Sequence, residues 1–228
     1  MSPNPQRALN YRRSRAAYPP EPWYLGGTLL VSVFLVPARS LPGNFGDTLP
    51  PGYWMVRIAG RVIVGTAFVC YLPGGAMEYT ELLVVTPALH RARLRFTIPQ
   101  IWVDSPASRT GARELWGIPK HLAEFDRIEA HDTTSMAMRS HGSDSAHIAS
   151  TYGRTLPGMH QFALPVAQRL AGRDFLSHNR IIGAITRLTT RWTFDADGPL
   201  GYLAGRKPLV SFALRNSSVI FGMRVRRS

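Results

Sequence analysis

Cysteine is almost missing: Cys70 is the only one in 228 residues, so no disulfide within the chain, no CxxC pair and no cysteine-built zinc site can form. A reducing compartment suits such a chain, and a cytoplasmic location is the expectation. Lysine is nearly as scarce. All but two of the 27 basic residues are arginine, the exceptions being Lys120 and Lys207. A guanidinium stays protonated and cannot form an imine, whereas a lysine amine can. Amine chemistry therefore has two side-chain candidates. Acidic residues number only 14, which leaves a net charge of +13. No apolar run approaches the ~20 residues of a membrane-spanning helix, so no membrane partner is expected.

Several site signatures are also missing. His131, His141, His147, His160 and His178 show no HExxH spacing, so no metal site is expected. Gly26-Gly27 and Gly74-Gly75 lack phosphate-loop or dinucleotide spacing and read as turns. Ser105, Ser108 and Ser177 sit in no GxSxG elbow, which leaves a serine hydrolase without support. Arginines near the N-terminus precede the apolar stretch Leu29 to Val36 and imitate a signal peptide. The intervening Tyr18-Pro19-Pro20-Glu21-Pro22-Trp23 does not fit one, so no cleaved signal is expected.

What is present is core material: 45% of residues are hydrophobic and 10% aromatic, which argues against disorder. Eighteen prolines and 20 glycines punctuate the chain too often for long helices and favour strands and turns. Residues 1–17 are polar and basic and read as a flexible arm, with one domain over 18–228. Thr28 to Val36, Tyr53 to Ile58, Arg61 to Tyr71 and Thr80 to Thr86 read as strands separated by LPGN, LPPG and LPGG turns. Arg91 to Phe96 alternates, with Ala92, Leu94 and Phe96 on the face expected to be buried. His121 to Ala130, Thr134 to Met138, Ala146 to Tyr152, Ile181 to Phe194 and Ser217 to Val225 follow as strands, Ile181 to Thr190 having a short helix as its alternative. One helix is predicted over 106–116: Asp104-Ser105 supplies a cap, Pro106 fits the first turn, and Gly117 and Pro119 stop it. The fold class is α+β, dominated by antiparallel strands.

That helix delivers its end to Gly117-Ile118-Pro119-Lys120-His121-Leu122. Glycine and proline fix the backbone just before the lysine, and Trp116, Ile118 and Leu122 make the neighbourhood apolar. Such a neighbourhood disfavours a charged ammonium, and a neutral amine is the nucleophile that Schiff-base chemistry needs. A surface lysine after a turn remains the alternative reading of the local pattern.

Arg113, Glu114, Pro119 and Lys120 stand at the spacing of a motif of the acetoacetate decarboxylase-like superfamily, and Tyr79-Thr80-Glu81 is similar to a tyrosine, threonine, glutamate run upstream in that family. The resemblance is clearest from about Pro50 to Phe125. It implies a mostly antiparallel, barrel-like β structure around an apolar funnel, assembled as a homo-oligomer, with no cofactor. It implies that Lys120 forms an imine with a ketone, that Glu81 is the carboxylate at the reacting centre, and that Arg113 and Glu114 anchor the helix end. Trp116, Ile118, Tyr79 and Thr66 are the expected substrate-binding residues. The sequence departs from the family in three places. His121 replaces the second lysine of a pair and is a further catalytic candidate, the substrate-side arginine falls near Gly27 or Thr28, and another glutamate falls near Thr66.

The function expected from this resemblance is a Schiff-base lyase acting on a small carbonyl compound, by decarboxylation or by aldol or dehydration chemistry. One alternative is a non-covalent cyclase of a polyketide-like natural product on the same fold. Another, motivated by the positive charge, is a nucleic-acid-binding protein, but the arginines are dispersed along the chain and no recognition motif accompanies them.

Overall fold

A single rule, that side chains alternate across a strand, sorts most of this chain onto two faces. A computed structural model describes residues 18–228, so the basic arm expected over 1–17 lies outside the described residues. The first half runs β1 (Trp23–Pro37), β2 (Trp54–Met55), β3 (Arg57–Ile58), β4 (Arg61–Tyr71), β5 (Tyr79–His90), β6 (Arg93–Val103), α1 (Pro106–Trp116) and β7 (Lys120–Leu122). The second half runs β8 (Glu124–Glu129), β9 (Thr133–Ser140), β10 (Ser143–Thr155), β11 (His160–Ala163), β12 (Val166–Leu170), β13 (Arg173–Phe194) and β14 (Val210–Arg227).

The strands form one sheet in the order β12-β6-β5-β4-β1-β14-β13-β10-β9-β8. Because β12 also pairs with β13, the path from β12 through β6, β5, β4, β1, β14 and β13 closes on itself as a ring. Most pairings are antiparallel; β12 with β6 and β7 with β6 are parallel. The resulting α+β, mainly antiparallel architecture is the one expected. Among the described residues, no helix is long and apolar enough to cross a membrane.

On β1, β4 and β5 the even-numbered side chains Leu30, Phe34, Phe68, Leu82 and Val84 enter one core together with Met138, Ile148 and Leu203. The odd-numbered Leu25, Leu29, Ala67, Val69, Tyr71 and Tyr79 face a second cluster, with Trp23, Ile101, Trp116 and Ile118. Each large apolar side chain so enclosed stabilises the fold by roughly 1.5–3 kcal/mol. The second cluster is the one that opens into a cavity.

Two local expectations need correction. Arg91 and Ala92 have positive φ and form the turn between β5 and β6, so the alternation predicted from Arg91 does not start there, and Leu94 is half exposed. Ile181 to Thr190 is strand, not helix: it is held on both sides, by β14 along Ile181–Arg187 and by β10 along Thr186–Phe194. Pairing on two edges overrides the local helical pattern.

Candidate active site

Helix α1 is bounded as its sequence predicts. The Ser105 side chain accepts from the Ser108 N–H at 3.2 Å, a cap that contributes about 1 kcal/mol, and Gly117 ends the helix at φ 64°, a left-handed conformation. A Cβ on Gly117 would also lie 2.4 Å from the Phe175 ring, so glycine is required twice over. The buried face of the helix, Ser108, Gly111, Ala112 and Trp116, repeats every three or four residues. Trp116 meets Trp23 edge to face at 4.6 Å. Beyond the turn, parallel pairing sets Lys120 opposite Ile101 of β6, and the Arg113 guanidinium donates to the Lys120 carbonyl at 3.4 Å. The chain entering the lysine is held from both sides.

The Lys120 amine then points into the ring, where its hydrogens meet three acceptors. Nζ lies 2.7 Å from Glu81 Oε2, 2.8 Å from Ser108 Oγ and 3.5 Å from the Tyr79 hydroxyl. Tyr71 donates to the other Glu81 oxygen, Oε1, at 3.3 Å. Lys120 and Glu81 are each only 4% exposed, so this ion pair is out of bulk water. Burial and, after it, the Glu81 charge push the Tyr71 and Tyr79 phenols well above their ordinary pKa, so both remain neutral hydroxyls.

Around the pair lies a cavity of about 290 Å³, close to the lower end of the roughly 300–1,000 Å³ of small-molecule sites. Leu25, Leu29, Ile98, Leu214 and Val219 are among its walls, and the partly exposed Phe162 stands in its lining. Among the described residues that line it, Lys120 and Glu81 are the only charged ones. A buried amine–carboxylate pair in a hydrocarbon pocket is an arrangement that can engage a carbonyl group.

Of the residues predicted from the sequence, Lys120, Glu81, Tyr79, Trp116 and Ile118 converge on this cavity. Arg113 lies behind Lys120, at its carbonyl, whereas Glu114 is exposed and accepts from the Tyr18 hydroxyl. Thr66 is on the other side of β4: it is fully buried toward the first core and donates to the Ser32 carbonyl at 3.4 Å, while its neighbour Ala67 lines the cavity. One residue of displacement along a strand reverses the face. Leu122, expected among the apolar neighbours, is 49% exposed.

His121 is placed outside as well. It follows Lys120 on β7, so alternation turns it away from the cavity, and it is exposed. Partial desolvation, then the charges of Arg113 and Arg109 and a contribution from His141, lower its pKa from the ordinary value. The ring is therefore neutral at pH 7 and supplies no second cation. His121→Ala is expected to leave the yield of borohydride-trapped adduct within about twofold of wild type from pH 7 to 8, since a pKa lowered from its ordinary value leaves the ring mostly neutral across that window. Loss of adduct near neutral pH in the variant alone would return His121 to the catalytic centre.

Ser108 and Tyr71 were not singled out for this site by sequence. Ser108 carries a detectable signal, a serine on the small, buried stripe of α1 beside Gly111 and Ala112. Tyr71 ends β4 in phase with the cavity-facing Ala67 and Val69.

The family model described as acetoacetate decarboxylase (ADC) matches residues 12–190. No curated protein sequence matches. Among solved structures, acetoacetate decarboxylase from Legionella pneumophila subsp. pneumophila str. Philadelphia 1 has 17% identity and a TM-score of 0.67, over 91% of this chain and 87% of that one. The enduracididine biosynthesis enzyme MppR, in complex with the condensation product of pyruvate and imidazole 4-carboxaldehyde, has 18% identity and a TM-score of 0.66, over 93% and 91%. An acetoacetate decarboxylase-like enzyme from Sphingomonas wittichii RW1 has 16% identity and a TM-score of 0.60, over 92% and 94%. At these identities the solved structures show a shared fold.

Proposed function

Because the chain belongs to the acetoacetate decarboxylase family, we propose that it is a Schiff-base-forming enzyme in which Lys120 attacks the carbonyl carbon of a small substrate. The observation that carries this reading is the 2.7 Å contact between the Lys120 amine and the Glu81 carboxylate inside an apolar cavity. Moving one proton along that contact converts an ion pair into a neutral amine and a neutral acid without changing the net charge of the cavity. The amine then holds a lone pair, and Glu81 holds the proton needed to expel the carbinolamine hydroxyl as water.

The iminium that results withdraws electrons from the adjacent carbon, and the same electron sink serves decarboxylation of a β-keto acid and aldol-type or dehydration chemistry. Glu81 takes up and returns the substrate proton in the aldol and dehydration cases and delivers a solvent-derived proton to the enamine carbon after decarboxylation. Once the amine has added to the carbonyl, the carbinolamine nitrogen keeps only one N–H, so the Ser108 and Tyr79 hydroxyls, which contact the amine before it reacts, become available to the carbinolamine oxygen. Tyr71 keeps Glu81 oriented from its other oxygen. The condensation product in the MppR complex is compatible with carbon–carbon bond chemistry in this fold.

Incubation with a panel of ketones and aldehydes, borohydride reduction and intact-mass measurement test the reading. One covalent adduct per chain, mapped by digestion to Lys120, is expected. If no carbonyl compound gives an adduct, covalent catalysis is excluded, and the non-covalent cyclase on the same fold becomes the leading reading.

A further inference from the structure

Resting on that imine reading, we propose that the cavity takes an uncharged, largely apolar ketone or aldehyde, not a keto acid, and that the bond made or broken beside the imine belongs to an aldol. A carboxylate bound here needs a cation or a set of free donors, and the described lining offers no unpaired cation and, besides the Tyr79 O–H, no uncommitted donor. Its two charged side chains, Lys120 and Glu81, neutralise each other at 2.7 Å. The net charge of the occupied cavity therefore equals that of the substrate: zero for a simple ketone and negative for a keto acid.

The other polar groups of the lining are, apart from the Tyr79 hydroxyl hydrogen, already committed. Asn179 donates through Nδ2 to the Leu164 carbonyl at 2.9 Å and to Ser177 Oγ at 3.2 Å, and its Oδ1 accepts from the Gly222 N–H at 2.7 Å. Tyr71 donates to Glu81 and Tyr79 accepts from Lys120, which leaves the Tyr79 hydrogen as a single donor at the pair, too few to replace the hydration of a carboxylate. On β1, a Cβ at Gly27 would lie 2.0 Å from the Cys70 carbonyl oxygen, so the backbone pairing there leaves no room for a long cationic side chain. What remains of the wall is hydrocarbon, which rewards an alkyl or aryl group and penalises an unpaired charge.

With no carboxylate to lose, the iminium acts on a β-hydroxy ketone. The hydroxyl proton passes to Glu81, the electrons of the Cα–Cβ bond move to the iminium, and an aldehyde leaves behind an enamine. Glu81 returns the proton to the enamine carbon, and water hydrolyses the imine to release the ketone and restore Lys120. Read in reverse, the same steps join the two carbonyl compounds.

A matched pair of probes, 2-octanone and 2-oxooctanoate, tests the proposal on the full wild-type chain, since they differ by a carboxylate in place of the methyl beside the carbonyl. Equilibrium binding is read from the fluorescence of Trp23 and Trp116 in the cavity wall, and imine formation from borohydride trapping. The ketone is expected to be favoured on the order of 100-fold in binding, although the keto acid is intrinsically the better electrophile. Equal or tighter binding of 2-oxooctanoate overturns the proposal and leaves the imine reading intact, as does failure of 2-octanone to bind while the keto acid is trapped. A ketone preference in binding without any trapped adduct supports the uncharged ligand class and overturns the imine reading together with the aldol step.

Discussion

Replacing Lys120 by arginine is expected to abolish the borohydride-trapped adduct and reduce turnover to the uncatalysed background while the chain remains folded. The reasoning separates charge from nucleophilicity. Arginine retains a positive charge to pair with the buried Glu81 carboxylate, so the ion pair that organises the cavity persists, but a guanidinium has no available lone pair and does not lose its proton. The only other lysine, Lys207, is exposed and lies outside the cavity lining, so Lys207→Arg is expected to trap as wild type does. Intact mass and far-UV circular dichroism on the two variants check both halves of the expectation. An adduct that survives in Lys120→Arg would transfer the chemistry to another amine and refute the site.

Glu81→Leu is expected to be the most destabilising single change in the site, by roughly 3–5 kcal/mol, because it leaves the Lys120 ammonium buried without its counter-charge. The Tyr71 hydroxyl loses its acceptor at the same time. Adding Lys120→Met removes the stranded charge, and the double variant is expected to recover most of the loss, since a buried ion pair adds little stability over apolar residues of similar volume. Catalysis behaves differently. Glu81→Leu alone removes the proton acceptor and donor, with an expected loss of about 10²–10⁴-fold in rate, and the double variant has no activity at all. Urea unfolding of the single and double variants, alongside turnover, distinguishes the two effects. If Glu81→Leu left the unfolding midpoint unchanged, the pair would not be the desolvated couple described here. Recovery of stability without recovery of activity would show that the two charges are kept in this cavity for their chemistry.

Some of this architecture was legible because it depends on neighbours in sequence. Ser105, Pro106 and Gly117 specify where α1 starts and stops through cap geometry confined to a few residues, and the helix forms where they place it. The strands of the first half follow from short Val, Leu and Phe runs between Pro-Gly turns, although tertiary pairing lengthens several of them: Thr80 to Thr86 becomes Tyr79–His90. The helix alternative over Ile181 to Thr190 was decided elsewhere, by the strands that flank it on both sides.

The candidate site divides along the same line. By itself the sequence determined that amine chemistry has two lysines to choose from and that one of them follows a capped helix and a Gly-Ile-Pro turn, while the family resemblance added Glu81. Only the tertiary structure decided which side chains share the cavity. Lys120 meets Glu81 across 39 residues and Ser108 across 12, distances that no local pattern encodes and that sheet register and helix packing bring together. Register also assigned the faces. On β4 it sends Thr66 to one core and Ala67 to the cavity, and on β7 it buries Lys120 and exposes His121. Because the side-chain period of a strand is two, a position known to within one residue leaves its face undetermined until the hydrogen-bonded partners are fixed.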